Sequence, residues 1–176
     1  MEDPSPFEPQ GTFHYFKLAV EVVKLNTVAM AEVAGNTSAT AFGIAVTAMG
    51  GAIAVLPRTS LVASMVAALC SVGSLFLFAG FLHLITGRSK GKEEFMAFVR
   101  IFALTGIIDW LAVLPLAGVL ATMWSVVVAI VAAEQVYALP RGKATLSVLF
   151  SVSALWVVTL VLLAGPLGQL FEIPGS

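Results

Sequence analysis

Arg100, Asp109 and Glu134 stand inside long apolar stretches of this 176-residue sequence. A charge held in hydrocarbon costs several kcal/mol on insertion scales, about 3, so each such residue is a candidate for function by default. Asp109 is the sharpest of them. It could serve as a contact for a proton, an ion or a partner. Against that, five residues separate it from Pro115 and Trp110 lies beside it. Indole rings favour a membrane interface, so a structural carboxylate near the outer interface is the competing reading. Arg100 and Glu134 fall at similar depth on the other side. Either they form an ion pair across a helical hairpin or each is solvated separately, with the arginine stem snorkelling to headgroups.

Other chemistries find no footing. A metal needs three or four converging ligands, and His14, His83 and Cys70 show no ligand-like spacing with one another or with the carboxylates. His83 reads as a satisfied interfacial histidine, and Cys70, the sole cysteine, as a small hydrophobe without a disulfide partner. Serines and threonines are scattered without a histidine and an acid in the same apolar block, so no nucleophilic set is expected. Gly50-Gly51 is a packing surface and not a phosphate loop. No catalytic residue, cofactor or metal is expected, and the chain is not read as an enzyme. A net charge of -1 leaves no basic surface for nucleic acid.

The elements that must hold these residues follow from composition. The chain is 59% apolar and 11% charged, which points to a bilayer as its solvent. Runs long enough to cross about 30 Å of hydrocarbon lie at 39–56, 61–85 and 144–163. Between them, 95–139 carries only three charges, too long for one crossing at about 1.5 Å per residue. Pro115 cannot donate to a helix and restricts its predecessor, so the stretch is read as a hairpin, Phe95–Leu114 and Leu116–Ala133, turning at Leu114-Pro115. The fold class is therefore all-α, a membrane bundle of five spans over 39–164, with an extended or disordered 1–12, an amphipathic segment and hinge at 13–38, and a short tail at 165–176.

Charge supports the hairpin. Five spans put Lys17, Lys24, Arg88, Lys90, Lys92, Arg100, Arg141 and Lys143 on one side and Arg58 alone on the other. Basic residues collect in cytoplasmic loops, so the N-terminus is expected inside and the C-terminus outside. The acidic, proline-bearing start is not expected to be a cleaved signal peptide, and no lipidation box appears. Phe13, Phe16, Val20 and Val23 recur at helical spacing with Lys17, Glu21 and Lys24 elsewhere on the wheel. That pattern predicts a helix lying on the cytoplasmic leaflet or packed on the bundle's cytoplasmic end, followed by a polar hinge at Asn36-Thr37-Ser38. The first span is small nearly all round, with Gly43, Gly50 and Gly51 as candidate close-packing positions.

The stretch Gly87 to Lys92, then Phe95 and Phe98-Val99-Arg100, then Met123-Trp124, and finally Arg141-Gly142-Lys143-Ala144, resembles the Yip1-domain family of membrane proteins over roughly Phe16 to Leu163. The resemblance implies a role in membrane organisation, and for eukaryotic members vesicle traffic with small GTPase partners. It brings no catalytic residues. A long soluble N-terminal region of the eukaryotic kind is not seen, so the resemblance implies a compact prokaryotic member in the cytoplasmic membrane. The expected function is a non-catalytic scaffold or adaptor, an accessory subunit stabilising a larger membrane assembly, with the lipid bilayer and other membrane subunits as partners and self-association open. The alternative is a small oligomeric transporter or channel with Asp109 near its pathway, which requires Asp109 to face a water-filled cavity.

Overall fold

The computed structural model describes residues 9–55, 60–86 and 91–164, and among them only helices occur. Pro57-Arg58, Gly87 to Lys90, and most of the expected N-terminal and C-terminal segments lie outside the described residues. The order is α1 (Pro9–Val23), α2 (Thr27–Gly35), α3 (Ala39–Val55), α4 (Leu61–Thr86), α5 (Lys92–Thr105), a 3-10 segment (Ile108–Val113), α6 (Pro115–Tyr137) and α7 (Arg141–Ala164). Leu61–Thr86, Leu116–Tyr137 and Arg141–Leu162 are long and apolar enough to cross a membrane. These three helices are consistent with an integral membrane protein.

Pro115 occupies the first turn of α6, where its missing N–H costs nothing, and Leu114 caps the helix in extended conformation. The expected turn is therefore where the sequence placed it. The helix before it differs from expectation. Phe95–Leu114 is not one α-helix, because α5 stops at Thr105 and the chain tightens into the 3-10 segment.

Contacts give the directions. Thr40 meets Arg100, Gly43 faces Ala103 and Thr47 faces Gly106, so α3 and α5 run parallel. His83 lies against Phe95, and Phe78 against Phe98 and Phe102, so α4 runs antiparallel to α5. Tyr137, at the end of α6, reaches His83 and Phe98 near the start of α5. The end of the bundle carrying Lys92 and Arg141 is called basal here, and the end carrying Val55 and Pro115 distal.

α5 is the axis of the bundle. Its second half, Phe98 to Thr105, is buried almost all round, between α3, α4 and α6 on one side and α1 and α2 on the other. Gly43 permits the α3 approach, since a Cβ there would lie 2.8 Å from the Ala103 Cβ. Gly50 faces the Gly106 carbonyl and Asp109, and Gly51 faces Ser71 of α4. All three candidate packing glycines thus serve contacts within the chain. Such close backbone approach is how helices associate where the hydrophobic effect is weak.

The N-terminal segment is a helical hairpin and not a single helix. Leu25, at φ 65, makes the left-handed turn after α1. Its amide reaches the Val22 carbonyl and that of Asn26 reaches Glu21, the two bonds that close a helix end of this type. Asn26 then caps α2, accepting from the amides of Val28 and Ala29. Asn26→Ala should lower stability by about 1 kcal/mol, read as a lower thermal midpoint in detergent; an unchanged midpoint would mean that packing alone holds this turn. Two hydrogen bonds from Lys24 and Asn26 also pull the Glu21 carboxyl below its ordinary pKa.

The buried face of α1 is Tyr15, Leu18, Ala19 and Val22. The stripe Phe13, Phe16, Val20 and Val23 is not the face that packs on the bundle: Phe13 is 73% and Phe16 42% exposed, as a helix lying on the leaflet requires. α1 is apolar on two faces, and the one with small Ala19 fits closely in the bundle, leaving the phenylalanines outward.

Candidate functional site

Thr47 is the middle residue of α3, Ser74 stands at the middle of α4, Val126 is the middle of α6, and Val152 stands at the middle of α7. All four line one cavity of about 510 Å³. Its remaining wall is the place where α5 breaks, at Thr105, Gly106 and Asp109. Asp109 packs against Gly50, five residues before Val55 and so in the distal half of the bundle, and the six-residue 3-10 segment carries the chain on from there to Pro115.

The break is built from short side chains. The Thr105 hydroxyl donates back to the Phe102 carbonyl at 2.6 Å, competing with the helix ladder. Gly106 carries no side chain, and a Cβ there would stand 2.9 Å from both the Thr47 Cα and its Oγ1. That proximity lets the Thr47 hydroxyl cross from α3 and donate to the Ala103 carbonyl at 2.9 Å, one of the carbonyls that a helix end leaves short of partners. The Asp109 amide donates to the Gly106 carbonyl at 3.1 Å and begins the 3-10 turn. The Trp110 indole donates to the Val46 carbonyl at 3.4 Å and so packs against α3.

The Asp109 carboxylate makes no hydrogen bond or ion pair among the described residues. Of the six hydroxyls on the lining, those of Thr47, Thr105, Thr122 and Ser125 spend their one proton on a helix carbonyl and have lone pairs left to offer a ligand, while those of Ser71 and Ser74 on α4 make no hydrogen bond among the described residues and keep theirs. The C-terminal end of α5 adds the negative end of a helix dipole. Carboxylate, lone pairs and helix end all favour a positive charge or a hydrogen-bond donor. Phe78, Phe102 and Trp156 supply aromatic walls.

The basal half beneath the cavity is closed by Leu82, Phe98, Leu104 and Ala132, all fully buried. In the distal half, α4, α6 and α7 leave Met65, Leu69, Leu120, Met123, Trp156 and Leu160 exposed. The cavity thus sits where a tight core gives way to helices that stand apart.

Arg100 and Glu134 do not meet. Arg100 is 7% exposed, and donates from Nε to Thr40 Oγ1 at 3.1 Å and from Nη1 to the Ala34 carbonyl at 2.6 Å. It fastens α5 to the elbow where α2 and α3 meet at a 111° bend. Neither reading of the sequence anticipated that, because the acceptors are a hydroxyl and a main-chain carbonyl some sixty residues away. Glu134 lies 3.7 Å from the guanidinium of Arg141, which is 82% exposed, a pairing of little energetic weight. His83 accepts or donates to the Tyr137 hydroxyl at 3.3 Å, a satisfied ring at the basal end. His14 lies 3.2 Å from Glu32 on the surface. Cys70 is exposed and lines the cavity on α4. No group of three His, Cys, Asp or Glu side chains able to hold a metal occurs among the described residues.

The site defines a class, a helical bundle with a largely apolar cavity that carries one carboxylate and several hydroxyls at the break of one of its helices. No family model, no curated protein and no solved structure matches the chain.

Proposed function

We propose that the chain is a small, non-enzymatic transporter of the cytoplasmic membrane, acting as an oligomer, with Asp109 on the pathway of a cationic solute. Five segments cross the bilayer in this reading: α3, α4, α5 with its 3-10 continuation, α6 and α7. The alternating helix directions support it, as does the side on which basic residues gather, which makes the basal end and the N-terminus cytoplasmic and the C-terminus external. α3, at about 25 Å, is the short member. The observation that carries the reading is Asp109 on the wall of a cavity beside a helix break. Helix breaks with free carbonyls and helix C-terminal ends are where transporters hold cations.

Cys70, the sole cysteine and part of the same wall, tests this directly. Methanethiosulfonates need a thiolate, and a thiol facing lipid does not ionise readily. In proteoliposomes, Cys70 should react with both the trimethylammonium-ethyl and the sulfonatoethyl reagent. Asp109→Asn should lower the cation-over-anion rate ratio by about a hundredfold, because one charge within about 10 Å at an effective dielectric near 20 shifts each reagent's rate by about tenfold in opposite directions. A thiol inert to both reagents, or a ratio indifferent to Asp109→Asn, would sink the reading.

A second reading, a scaffold or accessory subunit, is favoured by the closed basal half: the cavity ends on a packed core and offers no open pore. The Yip1-domain resemblance, with its association with membrane organisation, belongs here. Purification from native membranes in mild detergent by a C-terminal tag, with mass spectrometry of co-migrating species, decides it. Stoichiometric recovery with a larger membrane complex supports the subunit; recovery only as a monomer or homo-oligomer removes it.

A further inference from the structure

We infer that the cavity at the α5 break selects a singly charged organic ammonium with an apolar body, the nitrogen at Asp109 and the hydrocarbon along the aromatic wall. This rests on the transporter reading above and names its solute class.

Size comes first. A divalent or alkali ion needs a close cage of oxygens, six to eight for calcium at about 2.3–2.6 Å, whereas this cavity encloses about 510 Å³. That volume is in the range of small-molecule sites, roughly 300–1,000 Å³. Charge comes second. Among the described residues Asp109 is the only ionisable acid or base on the wall apart from the thiol of Cys70, so one positive charge is neutralised and a second would be left uncompensated in a poorly solvated place. Hydrogen bonding comes third. The hydroxyls of Thr47 and Thr105 stand on the same side as Asp109, at the α3 contact with the helix break, and have already spent their protons on carbonyls. An ammonium N–H is the donor that such lone pairs require. Shape comes last. Leu75, Phe78, Phe102, Leu155 and Trp156 form the rest of the wall, which suits hydrocarbon, and ring faces attract a cation lodged among them. A neutral amphiphile satisfies only the apolar part, and an anion is opposed by the carboxylate and the α5 end.

The test uses 4-phenylbutylammonium and its uncharged isostere 4-phenylbutanol, with the full chain in nanodiscs of neutral lipid. Equilibrium dialysis should show saturable 1:1 binding of the ammonium and at least tenfold weaker binding of the alcohol. The ammonium should also slow Cys70 modification by the sulfonatoethyl reagent. Asp109→Asn should weaken the ammonium at least tenfold and leave the alcohol unchanged; the comparison of the two ligands on the wild-type chain stands even if that variant fails to fold. Equal binding of the two ligands would overturn the inference. So would a Cys70 reactivity that depends on Asp109 but responds only to sodium or potassium and not to the amine, an outcome that spares the transporter reading. Reactivity indifferent to Asp109 together with no amine binding would remove both.

Discussion

Gly106→Ala is expected to destabilise the protein by about 3 kcal/mol, while Gly73→Ala is neutral or gains up to about 1 kcal/mol. Both add one methyl to a glycine in an apolar stretch, and the difference lies in what the methyl meets. At Gly73, in α4, there is open space, so only helix propensity changes. At Gly106 the new Cβ would stand 2.9 Å from the Thr47 Cα, which is backbone and cannot swing away. α3 must move off the α5 terminus, and overpacking of this sort costs about 1–3 kcal/mol. The same movement stretches the Thr47–Ala103 hydrogen bond, adding about 1 kcal/mol. Thermal midpoints of the two variants in one detergent, followed by loss of the monodisperse size-exclusion peak, measure the difference. Equal midpoints would mean that α3 and the helix break do not approach as described, and the cavity wall would then be in question with them.

Arg100→Met should cost about 3 kcal/mol, from loss of two hydrogen bonds made by a charged donor, with the unbranched stem largely replaced. The cost is local in effect. Arg100 holds the C-terminal carbonyl of α2 and the first turn of α3, so its removal leaves the Ala34 carbonyl short of a partner and loosens the α1–α2 hairpin from α5. Limited trypsinolysis should accelerate at Lys17 and Lys24, both exposed on that hairpin, leaving the chain from Leu25 onward as the product. Thr40→Val, which removes only the Nε acceptor, should cost about 1 kcal/mol and accelerate cleavage less. Unchanged cleavage in Arg100→Met would assign the hairpin's attachment to Leu18, Ala19 and Val22 alone.

Much of the molecule was legible from residue order. Helix identity followed from uncharged runs bounded by Pro115 and the polar loops, and apart from the early end of α5 the observed helices begin and end within a few residues of those marks. The largest extension is α6, which runs on past Ala133 through Glu134 to Tyr137, since a charge at a helix end interrupts hydropathy without interrupting hydrogen bonding. Two features left no local signal. Leu25 and Ala138 take left-handed conformations usually marked by glycine, and α5 breaks without a proline.

What the sequence alone determined is the class and the candidates: an all-helical chain built for an apolar medium, a turn at Pro115, small-residue packing along α3, and Asp109 as the residue to watch. Those depend on solvation and on backbone chemistry, which act over a few residues. Tertiary structure alone decided that Arg100 clamps the α2–α3 elbow instead of pairing with Glu134, that Phe13 and Phe16 face outward, and that Asp109 stands against Gly50 on a cavity wall shared with hydroxyls from several helices. The reason is that each depends on which helix faces which, and that is set by the fit of Gly43, Thr47 and Gly50 against Ala103 and Gly106, some sixty residues along the chain. A hydroxyl's remaining lone pairs become a site only when four helices and one helix break bring them around the same carboxylate.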